Sequence, residues 1–198
     1  MEKINLFGAG GHGRVIREIV EATGRTAGYY YDDAPRIGVQ DGIPVLDAAQ
    51  HEMEGPLIVC VGDNAARRRV AERLDAEFAT AIHPSAIISP SSQIAEGTVV
   101  MAGAVVQAHA QIGRHCIINT GASVDHECEI GDFVHIAPHA TLCGDIEVGE
   151  MTLIGAGSVV LSGVKIGKCC VIGAGSVVLH DIPDGSVVCG NPCHIHGK

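Results

Sequence analysis

The sequence predicts two parts in tandem, a small α/β domain over residues 1–81 and a parallel β-helix over residues 82–198. Two observations carry this. Every sixth residue from Ile82 to Val178 is a branched aliphatic, seventeen in an unbroken row, and most residues four places further on are small, as at Ala86, Ser92, Ala104, Ala110, Cys116, Ala122 and Cys128. A period of six matches neither the 3.6 of a helix nor the 2 of a simple strand. It is the hexapeptide repeat, in which each hexad forms a short strand and a turn and three hexads close one triangular coil. Seventeen hexads give about 5.7 coils, a prism about 27 Å long at one strand spacing per coil. The second observation is that the residues before Ile82 lack this period and alternate between strand-like and helix-like runs.

Within the first part, Lys3 to Phe7 reads as a strand, Gly8 to Gly13 as a glycine-rich turn, and Arg14 to Ala22 as an amphipathic helix. Thr26 to Tyr31 and Leu57 to Val61 are further strands, Ala65 to Leu74 a second helix, and Ala79 to Ile82 a last strand that completes the unit. Strand, glycine turn, helix, strand and then Asp32-Asp33 about twenty residues on is close to a dinucleotide fingerprint. The unit is only half of a dinucleotide-binding fold and no dehydrogenase domain follows, so a mononucleotide or nucleotide-sugar site fits better than a nicotinamide cofactor. Glycines let the backbone approach such a ligand and the helix N-terminus favours phosphate, with Asp32 or Asp33 accepting hydrogen bonds from a base or ribose. A turn needed only for packing is the alternative. His12 stands out because a phosphate loop has no need of imidazole; it contacts the ligand or is a solvated loop residue. A second loop, Val61-Gly62-Asp63-Asn64, follows the strand at the same sheet edge, where open α/β folds bind ligands. Arg67 either meets a phosphate or belongs, with Arg68 and Arg69, to a solvated helix face.

Composition narrows the function classes. The formal net charge of −10 argues against nucleic acid as a partner, and from Ile82 onward the only Lys or Arg residues are Arg114, Lys165, Lys168 and Lys198. No run of eighteen apolar residues suggests a membrane span, and no secretory leader is evident, so a cytoplasmic location is expected. Of the eight cysteines, Cys116, Cys128 and Cys170 fall at inward positions of the repeat, where a reduced thiol behaves as a small hydrophobe. Cys189, Cys193, His194 and His196 cluster in the tail, but their spacing is not that of a zinc finger, and no metal is expected.

A prism filled with side chains has no interior pocket, so chemistry must sit outside it. The segment from Ile118 to Cys128 concentrates polar groups that the repeat does not require. His126 with Glu127 supplies a base and a carboxylate to fix its tautomer, as acyl transfer to an amine or hydroxyl needs. Gly144, eighteen residues on, should stack one coil above His126 and leave room for the imidazole, with a free N–H for an oxyanion. His135 falls on a different face and could serve the same site only across a subunit junction. Most of the eleven histidines are not catalytic; His83, His109, His115, His139 and His180 read as surface or turn residues. None of Ser123, Cys128 and Cys143 has a nucleophile's neighbours, so direct transfer is expected.

These motifs together give the chain a family resemblance. Gly10-Gly-His-Gly13, Tyr31-Asp-Asp33, Gly62-Asp-Asn64, Asn119-Thr120, Asp125-His-Glu-Cys128 and Gly190-Asn-Pro192 resemble the bacterial nucleotide-amino-sugar N-acetyltransferases and sialic acid O-acetyltransferases. The resemblance implies a Rossmann-like nucleotide-sugar domain followed by a left-handed β-helix, assembled as a homotrimer with sites between subunits. It implies His126 as general base, Glu127 as the group that raises its basicity and Gly144 beside the thioester. Asn119, His135, Ala156 and Ala174 would contact acetyl-CoA, while Gly10, Gly11, His12, Asp32, Asp33 and Gly62 would hold the nucleotide sugar. Cys193-His194 replaces the usual Ala-Lys after the final turn, which removes one cationic contact to the coenzyme phosphates. The expected reaction is acetyl-CoA-dependent N-acetylation of the 4-amino group of a UDP-linked amino-deoxysugar. O-acetylation of sialic acid, N-acetylation of GDP-perosamine and a non-catalytic sugar-binding scaffold are the alternatives.

Overall fold

A computed structural model of the chain describes residues 2–197. Strand β1 (Lys3–Phe7) leads through the glycine turn into helix α1 (Gly11–Ala22), then β2 (Thr26–Asp32), a hairpin of β3 (Val39–Gln40) and β4 (Ile43–Asp47), β5 (Leu57–Val59) and α2 (Asn64–Arg73). The sheet order is β3-β4-β2-β1-β5, parallel except within the hairpin. Two details depart from the sequence reading. Helix α1 begins at Gly11, so His12 lies in its first turn rather than in a loop. The β3–β4 hairpin was not expected, although Asp41-Gly42, both at positive φ (50° and 81°), is a recognisable hairpin turn. Gly13 lets α1 dock on the sheet, since a Cβ there would lie 2.2 Å from the Gly8 carbonyl oxygen.

From Ala81–Ile82 to Val177–Val178 the chain forms two-residue strands, one per hexad, in three parallel sheets. The register is eighteen residues, as in Val105↔Ser123, Gln111↔Glu129 and Ile117↔His135. Ala81–Ile82 is therefore the first strand of the prism and pairs with Val99–Val100, whereas the expected completion of the α/β sheet is reduced to a bridge between Leu57 and Phe78. The six-residue row and the small residues behind it fill the axis: Val100, Ile118, Ile136 and Ile154 with Ala104, Ala122 and Ala140 are all fully buried. Buried hydroxyls are satisfied in place; Thr98 donates to the Gly113 carbonyl (2.7 Å) and accepts from the Cys116 N–H (2.9 Å).

The three outer facets differ in the residues they present. One facet carries Val99, Ile117 and His135; its aliphatics and Met101 pack with Ile16, Ile19 and Val20 of α1 in one core. At about 1.5–3 kcal/mol per fully buried aliphatic side chain, this contact holds the two parts together. A second facet presents Ile87, Val105, Ser123, Thr141, Val159 and Val177, without a formal charge. The third presents Gln93, Gln111, Glu129, Glu147 and Lys165. No helix among the described residues is long and apolar enough to cross a membrane.

Candidate active site

His126 and Glu127 form the turn between the uncharged and the charged facets. Glu127 has φ 59°, which swings its side chain beside the imidazole, and its Oε2 lies 3.2 Å from His126 Nδ1. Equivalent turn residues His109 and Asp145 share this backbone (φ 60° and 58°), so the conformation belongs to the repeat and not to a strained site. A carboxylate on Nδ1 favours the proton there and leaves Nε2 as the acceptor. Gly144 lies against the ring as the stacking predicts: a Cβ on Gly144 would stand 2.4 Å from His126 Cε1 and 2.5 Å from Nε2. The His126 and Glu127 side chains are 57% and 63% exposed. The corner sets an imidazole, its carboxylate neighbour and a glycine open to solvent.

His135 sits on the facet that carries the first domain, away from that corner. Its Nε2 is 3.0 Å from the Asn119 amide nitrogen, and Gly62 lines the same cleft beside it. The amide is a donor, so His135 Nε2 accepts and the ring is neutral. Burial, then the neighbouring Arg67 and His12, push the His135 pKa down to about 4. Burial and Arg67 do the same to His12, also to about 4, and His12 Nε2 is buried without a hydrogen-bond partner. His12, Gly62, Asn119 and His135 thus meet at the seam between the two domains. A small cleft of ≈ 240 Å³ opens beside them, lined by Gly62, Asn64, His135, Leu153 and Val171.

Arg67 organises this seam and corrects both sequence readings of it. It is 1% exposed, neither on a solvated face nor free to meet a phosphate. Its guanidinium donates to the carbonyls of His115 (2.8 Å), Val61 (3.0 Å), Gly62 (3.1 Å) and Phe133 (2.9 Å) and to Asn64 Oδ1 (2.7 Å). His115 is a second correction. Expected at the surface, it is 3% exposed, stacked on Phe133 at 5.0 Å and edge-on to Phe78 at 4.5 Å.

The glycine turn lines a different cleft, of ≈ 490 Å³, with Gly10, Gly11, Arg14, Asp32, Arg36 and Gln40 around it. That volume lies within the range of small-ligand sites. Asp32 is already engaged: its carboxylate accepts from the N–H of Ala9 (3.0 Å) and of Ala34 (3.0 Å), tying the turn to the end of β2. Asp33 pairs instead with Arg73. The cations Arg14 and Arg36 and the buried Gln40 were missed by sequence reasoning; the last lies on the hairpin that was missed with it. Ala156 and Ala174 occupy one turn ladder of the prism, where the N–H of Gly175 donates to the Ala156 carbonyl (2.8 Å). Among the described residues no group of three or more His, Cys, Asp or Glu could hold a metal ion, and Cys189 and His194 of the tail pair across a hairpin.

Residues 3–74 match the PglD N-terminal domain, and residues 109–144 and 145–180 each match the bacterial transferase hexapeptide (six repeats). The perosamine N-acetyltransferase from Caulobacter crescentus, solved as a histidine-to-asparagine variant with CoA and GDP-perosamine, superposes with a TM-score of 0.95, is 37% identical and aligns over 100% of this chain and 98% of its own. The chain belongs to this family of hexapeptide-repeat sugar acetyltransferases. The acetyltransferase is also similar to the acetyltransferase domain of PglB from Neisseria gonorrhoeae, solved with acetyl coenzyme A (TM-score 0.90, 39% identity, 98% of each chain). A UDP-N-acetylbacillosamine N-acetyltransferase of Bacillus subtilis is 39% identical over 52% of this chain. The match spans about half the length of that curated relative, 52%.

Proposed function

We propose that this acetyltransferase moves the acetyl group of acetyl-CoA to the 4-amino group of a UDP-linked amino-deoxysugar of the bacillosamine type. The observation that carries the reading is the His126–Glu127 pair packed on Gly144, a base with an oriented ring beside a backbone that has no side chain. An amine attacks a thioester only as the neutral form, so His126 Nε2 takes its proton as the C–N bond forms, and the Gly144 N–H stabilises charge on the thioester oxygen. Collapse of the adduct breaks the C–S bond, and the departing CoA thiolate takes the proton back from the imidazolium. Glu127 holds the ring and balances the imidazolium. Cys128 is no rival nucleophile, because burial raises its thiol pKa and its Sγ donates to the Cys143 carbonyl (3.1 Å).

The nucleotide sugar would bind along the first domain, its diphosphate over Gly10 and Gly11 with Arg14 and Arg36 at hand. His12 Nε2, buried and unpartnered, would receive a sugar hydroxyl, and the backbone at Gly62 would border the sugar. In this reading Asp32 and Asp33 serve the site by shaping its loops. Acetyl-CoA would lie along the prism past Asn119 and His135, with Ala156 and Ala174 offering backbone rather than side chains. His126 and His135 lie on different faces of one prism, and the His126 corner is open. A homotrimer that sets the uncharged facet of one prism against a neighbour would close it. GDP-perosamine is the second reading, favoured by the structural similarity to an enzyme solved with that sugar.

Thiol release from acetyl-CoA, measured against UDP-4-amino-sugars, GDP-perosamine and sialic acid, tests the proposal. Turnover on a UDP-4-amino-sugar, with the new amide located at N4 by NMR, is the expected result. Turnover on sialic acid alone would replace the reading with O-acetylation, and silence on every acceptor would leave a sugar-binding scaffold.

A further inference from the structure

We propose that Arg67 is a positioning residue for acyl transfer: it locks the Val61–Asn64 loop of the sugar-binding domain onto the prism and so sets His12 and Gly62 against His135 and Asn119. The role in transfer rests on the function proposed above, whereas the lock itself does not. An arginine 1% exposed needs its charge compensated, and a carboxylate is the usual means. Among the described residues Arg67 forms no salt bridge; its donors reach four carbonyls and one amide oxygen. Those acceptors come from both sides of the seam, Val61, Gly62 and Asn64 from the first domain and His115 and Phe133 from two successive coils of the prism. Asn64 extends the lock by donating to the carbonyls of Met151 (3.0 Å) and Thr152 (3.2 Å), one coil further.

A residue serving only stability would be expected where nothing reactive lies nearby. Here Gly62, held by Arg67 through its carbonyl, lines the same cleft as His135, so the guanidinium fixes a peptide beside the imidazole. The groups around it are few: His12 and Arg67 face His135, Asp63 and Cys116 face Arg67, and Arg114 and Asp132 face His115 on the far side. Leaving the cation without a carboxylate keeps positive potential at a seam that two anionic substrates must approach, in a chain of net charge −10. It also opposes protonation of His12 and His135, which must be neutral to accept hydrogen bonds.

The test compares Arg67→Lys, which keeps the charge but not the planar fork, with Arg67→Met, which loses both. Each variant, once shown to unfold cooperatively, is assayed for kcat and KM and its histidines are titrated by NMR. The expected result is a fall of at least tenfold in kcat/KM for both variants. The His135 and His12 titrations should stay low in Arg67→Lys and move up in Arg67→Met, with KM for acetyl-CoA rising towards acid pH only in the latter. Folded variants within twofold of wild type in kcat/KM, or a His135 titration unmoved in Arg67→Met, would overturn the proposal. If neither variant folds, Asn64→Ala removes the one side-chain acceptor of Arg67 and should raise KM at least threefold; an unchanged KM would count against the lock. The titrations need no turnover, so failure of the lock is distinguishable from failure of the proposed reaction.

Discussion

At the scale of single residues, the site depends on a few contacts whose removal has distinct signatures. Replacing His126 by Ala should lower kcat by about 10²–10⁴, the usual contribution of a general base, with little change in KM. Gly144→Ala should separate activity from stability. The three atoms nearest the added Cβ all belong to the exposed His126 ring, which can swing away, so thermal unfolding should shift little while activity falls at least tenfold. Buried histidines make a third prediction. His12, His115 and His135 are held at about 4 against an unfolded value near 6.5, chiefly by burial. As pH falls from about 6.5 to about 4, the unfolded chain takes up protons that the folded chain refuses, so stability declines across that window. His115→Phe keeps the aromatic stack, removes one such proton and leaves no buried Nδ1 unpartnered. Urea unfolding at several pH values should show a shallower acid decline in this variant, and an identical slope would refute the assignment to His115.

The elements follow from the hexad, and the hexad also says which positions are costly. Ile118 and Gln111 stand one hexad and one residue apart, yet Ile118 is fully buried on the axis and Gln111 is exposed on the charged facet. Ile118→Ala should cost about 2–5 kcal/mol of unfolding free energy, and Gln111→Ala less than about 0.5. Similar costs at the two positions would mean that the facing is misassigned. This part of the fold was legible because inward and outward positions repeat without interruption, and His126 over Gly144 was legible because stacking eighteen residues apart is a fixed consequence of the coil. The seam was not. The two prism carbonyls that hold Arg67 lie 48 and 66 residues away in the chain, and none of its acceptor carbonyls carries a side-chain signature that distinguishes it from Arg68 and Arg69. The contacts of Asp32 were equally unmarked: its carboxylate accepts from the N–H groups of Ala9 and Ala34, which spacing to the glycine turn does not reveal.

For the whole molecule, the proposed function draws on two groups of residues that lie on faces of one chain that do not meet. His126 and Glu127 are open on one edge, while His12, His135 and Asn119 are gathered behind the first domain. The account therefore requires a second copy against the uncharged facet of Val105, Val159 and Val177. Sedimentation should give three times the chain mass of 20.5 kDa. Val159→Glu, which places a charge in that facet, should yield folded monomers without activity; an active monomer would show that a single chain completes its own site.

The most direct test of the central claim is thiol release from acetyl-CoA with a UDP-4-amino-sugar, compared between the wild type and His126→Ala at equal folded concentration. The account expects rapid release in the wild type and a loss of at least a hundredfold in kcat in the variant, with KM for both substrates nearly unchanged. Wild-type turnover indifferent to His126 would contradict it and place the base elsewhere.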